Sequence, residues 1–265
     1  KNRLKIFAFI NMINDSSYNK NLHSIIKNDT SINGVLFVKT FGIEFDATNI
    51  FRKIKNINDD IFIIDDCCLC PPNFEYAINN SIADAVIFST GYSKYVDIGW
   101  GGFGFLKDKY KYINKQIPFN KNHLKMLTKN MNDSVLNDSN FHYKDNNWLG
   151  GETFLYDNFD QYNEQVNNKL YKVKKHKKLI NEIYSQNLTS NIQMGREFWN
   201  WRFSIFVDGK KRLIEKIFES DLFASSHYKD VNYMFGKSVN QYNSNAEIIH
   251  SRIVNLFNDF RFSED

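Results

Sequence analysis

A chain of 265 residues, 42% apolar and 24% charged with a net charge of +4, has the composition of a globular protein long enough for one large domain or for a large and a small one. The charge is mild and dispersed, which gives no footprint for nucleic acid, and no stretch reaches the roughly 18 apolar residues of a membrane span. The start has no signal-peptide pattern and the three cysteines cluster at Cys67, Cys68 and Cys70 with no second Cys or His group at zinc spacing, so the expectation is a cytoplasmic protein without a metal site.

In chain order, Leu4 to Ile10 reads as a strand. Asp15, Ser16 and Ser17 offer caps for a helix over about Tyr18 to Lys27, and Asn33-Gly34 marks a turn before a buried strand at Val35 to Val38. Ile50, Ile54 and Ile57 stand at i, i+4 and i+7 and predict a helix within Asp46 to Ile57. Ile61 to Ile64 is a second buried strand, ending in Asp65 and Asp66; a loop and a helix follow, then a third strand at Ala85 to Phe88 that ends in Ser89. A turn carrying Lys94 leads into a glycine-rich return through Gly99-Trp100-Gly101-Gly102 to Leu106. Alternation of strands and helices predicts a mostly parallel α/β sheet with right-handed crossovers.

Residues 107–158 carry poor apolar periodicity, and Trp148 to Gly151 marks a loop. From Asp160 to Gln186 an apolar stripe predicts a long helix; the basic run Lys172 to Lys178 within it reads as its wet face, the alternative being a contact with nucleotide phosphates or nucleic acid. The remainder reads as a small α+β domain: a strand at Phe198 to Val207, a helix at Lys210 to Glu219, a short strand at Leu222 to Ser225 and a final helix at Ala246 to Phe257. The expected division is a large domain with its connecting region, 1–158, and an interdomain helix with a small C-terminal domain, 159–265.

Ligands in open α/β sheets sit outside the carboxyl ends of the strands, where Asp66, Ser89 and Lys94 fall. A carboxylate, a hydroxyl and an amine at adjoining strand ends suit a phosphorylated cofactor with a cationic ring and an electrophilic carbon. Lysine forms Schiff bases with carbonyl carbons, and a carboxylate beside a pyridinium nitrogen keeps that ring electron-accepting. The plainer alternative is that Asp66 caps a turn and Lys94 is a solvated loop lysine.

The order of these residues resembles the DegT/DnrJ/StrS family of fold-type I pyridoxal-phosphate aminotransferases. The resemblance lies in Ile64-Asp65-Asp66-Cys67-Cys68, in Phe88-Ser89-Thr90-Gly91-Tyr92-Ser93-Lys94 and in Gly99-Trp100-Gly101-Gly102, with the acid-to-lysine interval of 28 positions (94 − 66). It implies pyridoxal 5'-phosphate as cofactor, Asp66 on the pyridine nitrogen, Ser89 on the phosphate and Lys94 as the covalent anchor and proton shuttle. In the C-terminal part it implies His227 and Tyr228 lining the substrate cleft and Arg202 pairing with the amino donor's carboxylate; a surface ion pair is the alternative for Arg202. The implied activity is transfer of an amino group from an amino acid, glutamate for choice, to a keto sugar nucleotide, in a homodimer. Two departures stand out. Leu69 occupies the position where the family commonly has a glutamine near the cofactor's phenolic oxygen. The family's N-terminal portion, with a phosphate-cradling helix and a ring-stacking aromatic, has no counterpart ahead of Leu4, so the large domain is expected to be incomplete. The alternatives are a non-catalytic fold-type I remnant serving as a binding module and a sugar dehydratase, against which Lys94 argues because the dehydratases carry histidine there.

Overall fold

The computed structural model describes residues 24–113, 120–141, 158–229 and 245–261. The strand expected at Leu4 to Ile10 and most of the helix expected at Tyr18 to Lys27 lie outside the described residues; residues 24–28, at the end of that helix, are helical. The first sheet has four strands in chain order, β1 (Gly34–Val38), β2 (Phe62–Asp66), β3 (Ala85–Ser89) and β4 (Gly102–Leu106). β1, β2 and β3 run parallel, and the glycine-rich return brings β4 back antiparallel to β3, with Ser89 opposite Gly102. All three expected strands end within two residues of their sequence positions.

Between β1 and β2 runs α1 (Thr48–Ile57), whose first turn is capped by Asp46 Oδ1 accepting from the Thr48 amide at 2.9 Å. It buries Ile50, Phe51 and Ile54 against Val35, Phe37, Ile61 and Ile63. No comparable helix joins β2 to β3: among the described residues this connection holds only a 3-10 turn, Ile78–Asn80. Pro71 and Pro72 explain the difference, since each removes a backbone donor and pushes the residue before it out of the helical region.

Past the sheet, α2 (Lys121–Asn137) occupies part of the region with no legible periodicity, and its one buried residue is Ser134. It is held at its start by Asn120, whose side chain accepts from the His123 amide. α3 (Phe159–Asn187) has 29 residues, about 43 Å of helix. Its first half packs Tyr162, Val166 and Val173 against Tyr95, Val96 and Phe103, and Tyr184 near its end packs with Phe203. The basic run is not all on its wet face. Lys177 is 4% exposed and donates to Trp201 O at 2.8 Å and to Asn258 Oδ1 at 2.6 Å.

The second sheet is antiparallel, β5 (Phe203–Phe206), β7 (Ile253–Leu256) and β6 (Ala224–Ser225) in that spatial order, with α4 (Lys210–Glu219) between β5 and β6 in sequence. The long strand expected from Phe198 is shorter, because Arg196–Phe198 form a 3-10 turn. The final helix expected at Ala246 to Phe257 is also corrected. α5 (Asn245–Arg252) ends where β7 begins, and β7 is the central strand of the sheet, bonded on both sides with Ile253 and Val254 fully buried. β-Branched Ile253 and Val254 pair with β5, and Asn255 and Leu256 pair on both edges, which favours the strand over continued helix.

One apolar cluster joins the two sheets. Phe41, Ile43 and Leu69, from the loops after β1 and β2, pack with Met194, Phe198, Trp201, Ile249 and Ile253. Leu69, where a polar side chain was expected on the basis of the resemblance, is therefore a core residue, 6% exposed. The approach depends on Gly42, whose φ is +72° and where an added Cβ would lie 2.4 Å from Leu69 O and 3.3 Å from Trp201 N. Its own carbonyl accepts from Asn200 Nδ2 at 2.9 Å. Gly42→Ala is expected to lower stability by about 2–3 kcal/mol in urea denaturation. A loss under about 0.5 kcal/mol would mean that the loop relaxes away from Leu69 at little cost.

Candidate active site

At the carboxyl end of the first sheet, three strand ends and one turn converge. Asp66 ends β2, paired in register with Val38 on one side and Ile87 on the other, and Ser89 ends β3. Both are half-buried. Asp66 Oδ1 accepts from the Cys68 amide at 2.9 Å, an Asx-type turn that fixes the carboxylate at the strand end. The plainer reading of Asp66 as a turn cap thus describes the role of Oδ1. Burial raises the Cys68 thiol well above its ordinary value; hydrogen bonding to Asp66 adds to this and the charge of Lys94 opposes it. Cys68 therefore feels both the acid at the end of β2 and the amine on the turn.

That turn is rigidly built. Ser93, immediately before Lys94, is left-handed at φ 59°. Its amide donates to Asp97 Oδ2 at 2.7 Å, Gly99 N donates to Asp97 Oδ1 at 2.8 Å, and Lys169 Nζ donates to Asp97 O. Trp201 Nε1 donates to Ser93 O at 2.6 Å, so the second sheet's first strand region clamps the turn directly. Lys94 itself is half-buried, and among the described residues its ammonium has no hydrogen-bond or ion-pair partner. Thr90, fully buried, is committed to Trp100 O at 2.9 Å and to the Tyr162 hydroxyl at 2.6 Å, which leaves Ser89 as the hydroxyl facing outward from β3.

From the other side come Trp201, Arg202, His227 and Tyr228. Tyr228 lies nearly parallel to Trp201, 13° apart with ring centroids at 6.3 Å, and 5.9 Å from Phe41. Burial raises its phenol, Arg202 lowers it and Asp66 raises it, although 39% of the residue is exposed. The Asp66 influence places the tyrosine within electrostatic reach of the β2 end. His227 is held through its amide by Asn255 Oδ1 at 3.0 Å, and burial, with Arg202 and His250, keeps its imidazole below the usual value and so neutral near pH 7. Arg202 is 5% exposed, which rules out the surface ion pair. Its guanidinium is sandwiched 4.2 Å from the Trp201 ring and 3.8 Å from Phe257, and it donates to Ser225 Oγ. Burial first, then Arg261, lowers its pKa to about 10, so it keeps its charge at neutral pH.

Asp66, Ser89 and Lys94 thus lie at the carboxyl end of the first sheet and Arg202, His227 and Tyr228 with the second, the two groups linked by the Trp201 bond to Ser93 and the influence of Asp66 on Tyr228. Trp201 was missed. It had been placed inside a strand, and its only sequence signal was its position directly before Arg202.

No protein-family model and no curated protein sequence matches the chain. Solved structures do. A Streptococcus pneumoniae protein assigned as a sugar aminotransferase, in its pyridoxal-phosphate form, superposes at a TM-score of 0.62 over 91% of this chain and 68% of its own, with 14% identity. The fold is that of fold-type I aminotransferases. A DegT/DnrJ/EryC1/StrS aminotransferase from Brucella abortus gives 0.55 over 93% and 66% at 16% identity. The Escherichia coli GDP-4-keto-6-deoxy-D-mannose-3-dehydratase with bound hydrated pyridoxal phosphate gives 0.52 over 91% and 66%, also at 16%. The chain therefore spans about two thirds of the length of these fold-type I structures. Among the described residues no helix is long and apolar enough to cross a membrane.

Proposed function

We propose that the protein is a pyridoxal-phosphate aminotransferase that moves an amino group from an amino acid, glutamate for choice, to the keto group of a sugar nucleotide, and that it works as a homodimer. The observation that carries this reading is that half-buried Lys94, its ammonium without a partner among the described residues, stands on a clamped turn at the same end of the sheet as Asp66, with Cys68 under the influence of both. The donor set fits the cofactor: a carboxylate for a pyridine nitrogen, a hydroxyl for a phosphate and an amine for a carbonyl carbon. When bound, pyridoxal phosphate supplies the electrophilic carbon and the electron-accepting ring.

The chain's own residues then divide the remaining work. Asp66, fixed through Oδ1 by the Cys68 amide, offers Oδ2 to the ring nitrogen. Ser89 donates to the phosphate. Lys94 Nζ would hold the cofactor's carbonyl carbon and would carry the proton taken from the donor's α-carbon. Arg202 is a buried charge that stands out of reach of any ion pair among the described residues, and a donor carboxylate would satisfy it. Neutral His227 and protonated Tyr228 are hydrogen-bonding groups for sugar hydroxyls rather than charges. Leu69 lies in the core, so tuning of the phenolic oxygen falls to another group.

The reading is tested by adding pyridoxal phosphate to the purified protein, reducing with borohydride and locating the adduct by mass spectrometry. An adduct on Lys94 is expected. Stoichiometric reduction at any other lysine, or none at all, would sink the assignment.

A further inference from the structure

Lys177 is a buried amine for which the proposed chemistry has no use. Its Nζ is satisfied by Trp201 O and Asn258 Oδ1, but among the described residues no carboxylate forms an ion pair with it. The nearest acidic influence is Asp259, whose carboxylate is taken by Arg261 Nε at 2.7 Å. Burial, opposed by Asp259 and reinforced by Arg202 and Arg261, lowers the Lys177 pKa to about 7.

Lys177 lines a cavity of about 410 Å³ between α3 and the segment that runs from Arg196 to Asn200. Tyr95 lies under its amine, with the ring centroid 5.2 Å away. Lys174 and Lys178 stand on the same face of α3, one helical turn apart, and Arg196 faces them from the opposite wall, its guanidinium 5.7 Å from the Trp199 ring. Glu182 also lines the space and meets only Lys178, at 3.9 Å. Four cationic side chains and one carboxylate thus share a concave space lined elsewhere by amides, a hydroxyl and the rings of Tyr95 and Trp199. Asp66, Ser89, Lys94, Arg202, His227 and Tyr228 all lie outside this lining.

We propose that this cavity is a second ligand site, for a small molecule bearing a phosphate or a pair of carboxylates. An arginine fork with two lysines opposite is the arrangement that recognises such groups, the fork by paired hydrogen bonds and the ammonium groups as point charges. The cavity is large enough for a phosphorylated metabolite, and its cationic side chains outnumber its acid four to one. Its floor reaches the lysine-bearing turn through two hydrogen bonds, Lys177 to Trp201 O and Trp201 Nε1 to Ser93 O, so an occupant sits close to the first site without entering it.

The test is calorimetric titration of the protein with inorganic pyrophosphate and, separately, with citrate, in about 0.1 M salt. Saturable binding of one equivalent is expected, weakened about tenfold or more in Lys174→Gln/Arg196→Gln. It should be unchanged in Lys211→Gln/Lys216→Gln, which removes the same charge from α4, where Lys211 is 92% exposed. Preference for pyrophosphate would assign a phosphate ligand, and preference for citrate a carboxylate one. No saturable binding, or an equal loss in the α4 variant, would overturn the site. So would binding that survives Lys174→Gln/Arg196→Gln but vanishes in Ser89→Ala/Lys94→Ala, since the anion would then occupy the first site. Failure of Lys94 to carry a cofactor leaves this outcome untouched, because neither probe needs Lys94.

Discussion

Lys94→Ala is expected to abolish cofactor attachment and to lower the transamination rate by about four orders of magnitude or more, while leaving the unfolding midpoint within experimental error. The size follows from two roles in one group. In the proposed reaction Nζ would be both the covalent anchor and the base for the donor's α-proton; general acid-base catalysis alone is worth about 10²–10⁴-fold. The absence of a stability effect follows from the turn. Its conformation rests on Asp97, Lys169 and the Trp201 indole bonding to backbone atoms of Ser93, Asp97 and Gly99, none of which involves the Lys94 side chain. Lys94→Arg keeps the charge but cannot attach the cofactor, so it should be as inactive as alanine. Absorbance after addition of pyridoxal phosphate, with single-turnover kinetics, reads both effects. A variant within tenfold of wild type would remove Lys94 from the chemistry. Parallel loss of folding would mean that its amine holds the turn after all.

Much of this site was legible because the first sheet obeys local rules. Buried strands at Ile61 to Ile64 and Ala85 to Phe88 announce themselves as short apolar runs, and residues at their carboxyl ends fall at the ligand edge of the sheet whatever else the chain does. The parts that were not legible share a cause, which is that partners distant in sequence decided them. Ile248, Ile249, Ile253 and Val254 have a spacing that a helix accepts, yet β5 pairs with the last two and β6 with Asn255 and Leu256 just after them, which draws the segment into the sheet centre with no turn residue to mark the change. α2 escaped notice because no apolar face supports it, as its exposed Met126, Met131 and Leu136 show. Lys177 looked like any other member of a basic run, and only the carbonyl of Trp201 and the side chain of Asn258 distinguish it. Trp201 acts through a bond to Ser93, more than a hundred positions upstream. Nothing in its neighbourhood in the chain signals that.

Asp84→Ala should be the most damaging single change to the fold, lowering stability by about 3–5 kcal/mol. Asp84 lies just ahead of β3, at the end of the sheet away from Lys94, and is fully buried. Oδ2 accepts from the Ile63 amide at 2.9 Å and pairs with Lys55 at 2.7 Å; Oδ1 accepts from the Tyr110 hydroxyl at 2.9 Å and meets Lys109 at 3.4 Å. One carboxylate thus ties α1, β2 and the chain leaving β4. Burial alone would raise its pKa, but the Lys55, Ile63 and Tyr110 hydrogen bonds outweigh it and hold the carboxyl below the ordinary value. The sign follows: a depressed folded-state pKa contributes stability that is complete above the unfolded value near 4 and is lost as pH falls through the lower folded value. Alanine removes this contribution at every pH, leaves the Lys55 ammonium, 11% exposed, with the Asp59 and Ile61 carbonyls but no counter-charge, and leaves the Ile63 amide unpaired. In a Lys55→Met background the loss should shrink by about 1–3 kcal/mol, because the stranded charge is gone. Urea denaturation at pH 7 measures both. A loss under about 1 kcal/mol, or full additivity with Lys55→Met, would mean that water reaches this carboxylate and that the ion pair contributes no more than a surface one.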